Sequence, residues 1–209
     1  MEIRFKKHDI IYTLILGEVT AWLAFFIIKN LELVSFPFLW LVLASGTPLT
    51  AIICLYLTFL IGKKIPVIFQ AGKFAVIGIS NTLIDWGVLN ILIFFTGVVG
   101  GVFYSIFKGL SFVVATSNSF IWNKFWTFNK KDSNNTGKEL SQFLIVSLIG
   151  LGINILVASL IVNLVQPVGG ASPKIWATLG AVIASASSMA WNFLGYKFLV
   201  FKKKTPKTL

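Results

Sequence analysis

Six apolar runs, each about 20 residues long and set off by short polar flanks, divide the chain. They cover approximately residues 10–28, 36–61, 74–95, 102–123, 143–165 and 175–196. None alternates apolar and polar side chains with period two, which excludes the strands of a membrane barrel and predicts helices. About 20 apolar residues is the length that crosses a bilayer. Backbone groups in hydrocarbon must also be bonded within their own segment, as a helix does. The pattern predicts an all-α, polytopic membrane protein with six transmembrane helices. The first run is longer than the apolar core of a signal peptide and no small-residue cleavage site ends it, so it reads as a retained helix. Residues 96–101 and 166–173 read as tight hairpin turns. Residues 65–72 read as an interfacial stretch before the third helix, Thr47-Pro48 as a kink, and residues 132–137 as a flexible loop.

The polar ends of these runs contain an internal echo. Residues 119–131 align with residues 192–204 at an offset of 73, and Phe120, Lys124, Phe125, Phe128, Lys130 and Lys131 all recur. The same offset pairs Asn81 with Asn154 and Asn90 with Asn163. Residues 73–131 and 146–204 therefore read as two copies of a two-helix repeat. Two helices return the chain to its starting side, so the copies point the same way. The expected core is four helices in two parallel repeats, related by an axis along the membrane normal. Residues 1–72 fall outside it and read as two additional N-terminal transmembrane helices. Residues 205–209 read as a cytoplasmic tail.

Composition agrees. Hydrophobic residues make up 56% of the 209-residue chain and charged ones 12%, about half the charged share of a soluble domain. Six spans leave no room for a soluble catalytic domain. The single Cys54 excludes an internal disulfide. A net charge of +11 would point to nucleic acid in a soluble protein. Here the basic residues sit in the flanks, where they set orientation and meet anionic lipid, so no nucleic-acid partner is expected. Fifteen Lys and Arg lie in the flanks on one side of the predicted topology, and only Lys29 and Lys174 on the other. The positive-inside rule then places both termini in the cytoplasm and the protein in the cytoplasmic membrane.

Ionisable residues within the runs are Glu18, Asp85 and Lys108. Each costs about 2.5–3.5 kcal/mol at the bilayer centre on insertion scales, so each needs a partner or a wet cavity. At 1.5 Å per residue, Asp85 and Lys108 differ in depth by ~6 Å, a gap a lysine spans, which predicts an Asp85–Lys108 pair. Asn81 and Asp85 share one helix face, and Asn154 is the repeat mate of Asn81. The two asparagines are expected to meet near the axis, bonding to each other or lining a polar groove. Lys108, Ser111, Ala115 and Ser119 share a stripe on one helix, and Ala181, Ser185, Ser188 and Asn192 on another; the serines and alanines at these spacings serve close packing. Lys124 and Lys197 form a second symmetric pair, followed by Phe125, Trp126 and Phe128 and by Phe198 and Phe201. A cation beside aromatics suits a lipid whose phosphate lies at the interface and whose chain enters the bilayer. Trp122 and Asn123 add a flat ring and an amide suited to a sugar. The one histidine, His8, is terminal; no metal-ligand cluster or Gly-rich phosphate loop is present, so no enzyme, cofactor or metal site is expected.

Residues 73–85, Lys-Phe-Ala-Val-Ile-Gly-Ile-Ser-Asn-Thr-Leu-Ile-Asp, together with Asn123-Lys124-Phe125-Trp126-Thr127-Phe128 resemble the GtrA-like family. Residues 142–147, Asn154 and residues 192–201 carry the resemblance into the second half, over about residues 73–202 in all. It implies a four-helix membrane domain linked to cell-envelope glycosylation. It also implies translocation of a polyprenyl-phosphate-linked sugar for a membrane glycosyltransferase, with the lipid phosphate near Lys124 and Lys197. The expected pathway is lined by Asn81, Asp85, Lys108, Asn154 and Asn192, and a homodimer would thicken its wall. Two alternatives stay open: a membrane anchor that recruits a glycosyltransferase without transport, and a small-solute or ion transporter using Asp85.

Overall fold

The structure is a computed structural model that describes residues 3–30, 36–98, 101–130, 136–170 and 173–202. The side chains of residues 30, 101, 104, 105, 108, 158, 159, 162, 163 and 173–182 lie outside that description. The described residues form six α-helices and no strand: α1 (Lys7–Asn30), α2 (Leu39–Gly62), α3 (Pro66–Thr96), α4 (Gly101–Trp122), α5 (Thr136–Leu164) and α6 (Pro173–Gly195). Each apolar run falls on one of them. By length and composition α1, α2, α3 and the Thr136–Val157 part of α5 are able to cross a membrane. Helices α4 and α6, 22 and 23 residues long, carry the more polar stripes. Large apolar side chains face outward, among them Phe95 (80% exposed) and Val102 (76%). That is the reverse of a soluble protein's surface and the surface hydrocarbon requires.

Residues 65–72 do not form a separate interfacial stretch. Helix α3 begins at Pro66 and runs unbroken for 31 residues. Proline fits the first helical turn because the N–H it lacks would have no partner there. Residues 132–135 of the predicted loop lie outside the described residues, whereas Thr136 and Gly137 already belong to α5. Helix α2 continues through Pro48. Gly17 of α1 packs against that proline so closely that a Cβ would come within 2.6 Å of the Pro48 Cα.

The chain separates into two compact units, residues 1–129 and 130–209. In the first, α1 and α2 pack on α3, and α3 on α4. Its core joins Leu16, Leu55, Phe59, Phe69, Ile77 and Trp126. Gly97, at φ 68°, ends α3 with its N–H on the Ile93 carbonyl at 2.7 Å, a left-handed position that suits glycine. In the second unit α5 and α6 approach through small residues. Gly150 faces the Asn192 side chain, and a Cβ on Gly195 would come within 2.5 Å of Val146. Ser188 and Trp191 of α6 donate to the α5 carbonyls of Gly150 (2.8 Å) and Val146 (3.1 Å).

Candidate functional site

Helices α4 and α6 both end in a π-turn. The first is Asn123–Thr127, closed by the Phe128 N–H donating to the Asn123 carbonyl at 2.9 Å. The second is Tyr196–Val200, closed by the Phe201 N–H donating to the Tyr196 carbonyl at 2.8 Å. The three pairs, Asn123 and Tyr196, Thr127 and Val200, Phe128 and Phe201, each differ by 73. An i→i+5 bond fits one more residue into the turn than an α-helix holds, which re-aims the side chains that follow, and such turns are frequent at functional sites. Asn129, at φ 47°, then ends the first turn in the left-handed conformation that asparagine tolerates.

Each π-turn holds its lysine between two aromatic rings. The Lys124 Nζ lies 5.7 Å from the ring centres of both Phe120 and Phe125. The Lys197 Nζ lies 5.6 Å from those of Phe193 and Phe198. Cations within about 6 Å of a ring are attracted by its quadrupole, more strongly where water is excluded. Lys124 is 1% exposed, whereas Lys197 is half-buried. The expected aromatic wall divides. Phe125 and Phe198 are exposed, but Trp126, Phe128 and Phe201 turn inward and are buried, so they support the turns instead of offering a surface to lipid. Trp122 is half-buried and donates to the Asn118 Oδ1 at 3.2 Å.

Further from the turns, Asp85 of α3 accepts a 2.6 Å bond from the Ser111 hydroxyl of α4. The Lys108 side chain, its expected partner, lies outside the described residues. Ser111 is one turn further along the same stripe. Buried polar atoms gather near these helices: the Ser80 Oγ, Asn81 Oδ1, Asn123 Oδ1 and Thr127 Oγ1 have no hydrogen-bond partner. The Asn123 amide nitrogen does donate, to the Ser119 carbonyl at 2.9 Å. In the second unit Asn154 donates to the Ser185 hydroxyl at 3.4 Å, while the Asn192 Oδ1 is buried without a partner. A buried acceptor left unbonded costs about 1–3 kcal/mol, so these positions favour water or a hydroxyl-rich ligand. Glu18 is half-buried in α1. Cys54 lines an apolar groove of about 490 Å³ between α1, α2 and α3. Its α3 lining, Gly72, Ala75, Val76 and Ile79, lies across the helix from Asn81 and Asp85 at 100° per residue.

The sequence reading missed a charged cluster. Asp9, in the first turn of α1, is fully buried. Its Oδ1 pairs with the Lys73 Nζ at 2.5 Å and accepts the Trp126 indole N–H at 2.8 Å; its Oδ2 accepts the Lys6 N–H at 2.9 Å. The Lys73 Nζ lies 4.4 Å from the Phe69 ring centre and 5.6 Å from that of Trp126. The one signal the sequence offered was an acid three residues after Lys6, at the start of an apolar helix. Glu139 is its counterpart in the second unit: in the first turn of α5, it holds Lys130 at 2.7 Å.

Apolar helices with outward-facing hydrocarbon define a polytopic membrane protein, and each unit carries one caged lysine as a candidate anion-binding group. Residues 73–204 match the family described as GtrA/DPMS, transmembrane domain, and the chain belongs to that family. It is also 34% identical over 133 residues to the uncharacterized membrane protein YngA of Bacillus subtilis (strain 168), a stretch covering 62% of this chain and 78% of that relative. No solved structure matches the chain.

Proposed function

We propose that the protein carries a polyprenyl-phosphate-linked sugar across the cytoplasmic membrane for cell-envelope glycan synthesis. One observation carries the reading: in a chain of the GtrA/DPMS family, two lysines 73 residues apart each sit between two aromatic rings at a helix-ending π-turn. In this reading all six helices span the bilayer, both termini are cytoplasmic, and residues 73–131 and 146–204 are parallel repeats. Lys197, half-buried, is the more accessible of the two cations, and Lys124 is buried; each offers its positive charge to the lipid phosphate. The prenyl chain stays in hydrocarbon. The sugar phosphate passes along Asn81, Asp85, Lys108, Asn154 and Asn192, whose amides and charges replace its hydration. A positively charged margin concentrates an anionic head group at the membrane surface, and polar groups inside the bilayer mark a pathway for what it carries. The protein performs no bond chemistry, and a membrane glycosyltransferase consumes the lipid it delivers. A homodimer would widen the wall around the path.

The test is direct. Purified protein in liposomes containing a labelled polyprenyl-phosphate sugar is expected to speed transbilayer movement well above protein-free liposomes. Equal rates with and without protein would reject the proposal. A second reading draws on the tight α5–α6 contact, in which Ser188 and Trp191 bond directly to α5 carbonyls. A non-transporting anchor for a glycosyltransferase would have such a dry interior. It predicts that changes at residues 132–137 abolish association with the enzyme and leave no transport to lose.

A further inference from the structure

We infer that the two N-terminal helices form a clasp on the first π-turn and that Asp9 is its positioning residue. The match to the family begins at Lys73, so α1 and α2 lie outside it. Yet the buried Asp9 carboxylate of α1 holds two residues inside the matched region, Lys73 at 2.5 Å and the Trp126 indole at 2.8 Å. Trp126 belongs to the π-turn itself and follows Lys124 by two residues. The grip extends beyond one bond. Tyr12 of α1 meets the Trp122 and Trp126 rings edge-on at 5.3 and 5.8 Å, and Trp126 shares a core with Leu16 of α1 and Leu55 of α2.

The second π-turn shows what is particular about the first. Leu199 stands where Trp126 does, offers no N–H and is 58% exposed. Val146 takes the position of Lys73. That turn is instead held within its own helix pair: Phe143 stacks on the Tyr196 ring at 3.9 Å, and Ser147 bonds to the Tyr196 hydroxyl at 2.7 Å. Two turns alike in backbone and in lysine cage are thus anchored by different means, and among the described residues only the first is bonded to an acid from outside the family domain. The consequence for transport rests on the reading of Lys124 given above: Asp9 keeps that lysine's turn in register, and so acts through Trp126 and not on the lipid.

The experiment is amide hydrogen exchange on the full-length protein in nanodiscs, compared at residues 123–128 and 196–201. Asp9→Asn is expected to speed exchange tenfold or more in the first turn and to leave the second unchanged. Trp126→Phe, which keeps a ring but removes the donor, gives the same contrast with smaller amplitude and stands in should Asp9→Asn fail to fold. In the liposome assay Asp9→Asn lowers the maximal rate about tenfold, with little change in the lipid concentration giving half that rate. An unchanged first turn in both variants, equal acceleration of both turns, or a shifted half-saturation with an unchanged maximal rate would each overturn the inference. Should the parent protein move no lipid, the exchange contrast still decides the clasp.

Discussion

Asp9 and Lys73 are each costly when buried in the protein and tolerable together. Removing one partner of a buried pair costs about 3–5 kcal/mol because the other remains uncompensated. Lys73→Met is therefore expected to destabilise the folded protein by about 3–5 kcal/mol, read as a lowered unfolding midpoint in detergent. Adding Asp9→Asn should restore part of that loss, since no buried charge is then left without its partner. A double variant no more stable than Lys73→Met would contradict the pairing. The caged lysines were legible because the chain writes them twice, each after a phenylalanine four residues earlier. Asp9 was not, because it lies outside the repeated region and its bond to Trp126 spans 117 residues. Trp126 and Phe128 were placed toward lipid because they follow Lys124 in a run of aromatics; in the structure both are buried at the π-turn.

Among the elements, all six helices were readable from apolar run length, and their ends were not. The π-turns differ from α-helix by one residue in a hydrogen bond, a difference that leaves the pattern of apolar positions intact. Helix α3 was started too late because Gln70, Gly72 and Lys73 look like a boundary. In the structure Gly72 is buried where a Cβ would collide with the Thr58 side chain of α2. Glycines on α1 and α2 give a sharper test of the packing. Gly17→Leu drives atoms into the Pro48 backbone and is expected to cost about 1–3 kcal/mol, as overpacking does. Gly46→Ala, whose Cβ meets nothing within 4 Å, is expected to be neutral or to stabilise by up to about 1 kcal/mol through helix propensity. Thermal unfolding of the two variants in one detergent checks the contrast, and equal losses would contradict the α1–α2 contact.

At the scale of the whole molecule, the basic flanks carry the topology. In a Cys54→Ala background, a cysteine at Gly137 should react with a membrane-impermeant maleimide only after the cytoplasmic face is opened. A cysteine at Gly97 should react in intact cells. The opposite result would reverse the orientation and move the lysine margin to the outer face. The charge count alone sets this expectation, whereas the division into units at Asn129 and Lys130 was not visible in the sequence, because it depends on α1 and α2 packing against α3. The central claim is that caged lysines at the two π-turns collect a lipid phosphate whose sugar then crosses the bilayer. It is tested most directly by the transbilayer rate of a labelled polyprenyl-phosphate sugar in liposomes carrying the parent protein, Lys197→Met or Lys124→Met. The account predicts clear acceleration by the parent and about a tenfold loss in each variant, equivalent to about 1.4 kcal/mol in the barrier. Acceleration that survives both substitutions undiminished, or none from the parent, would contradict it.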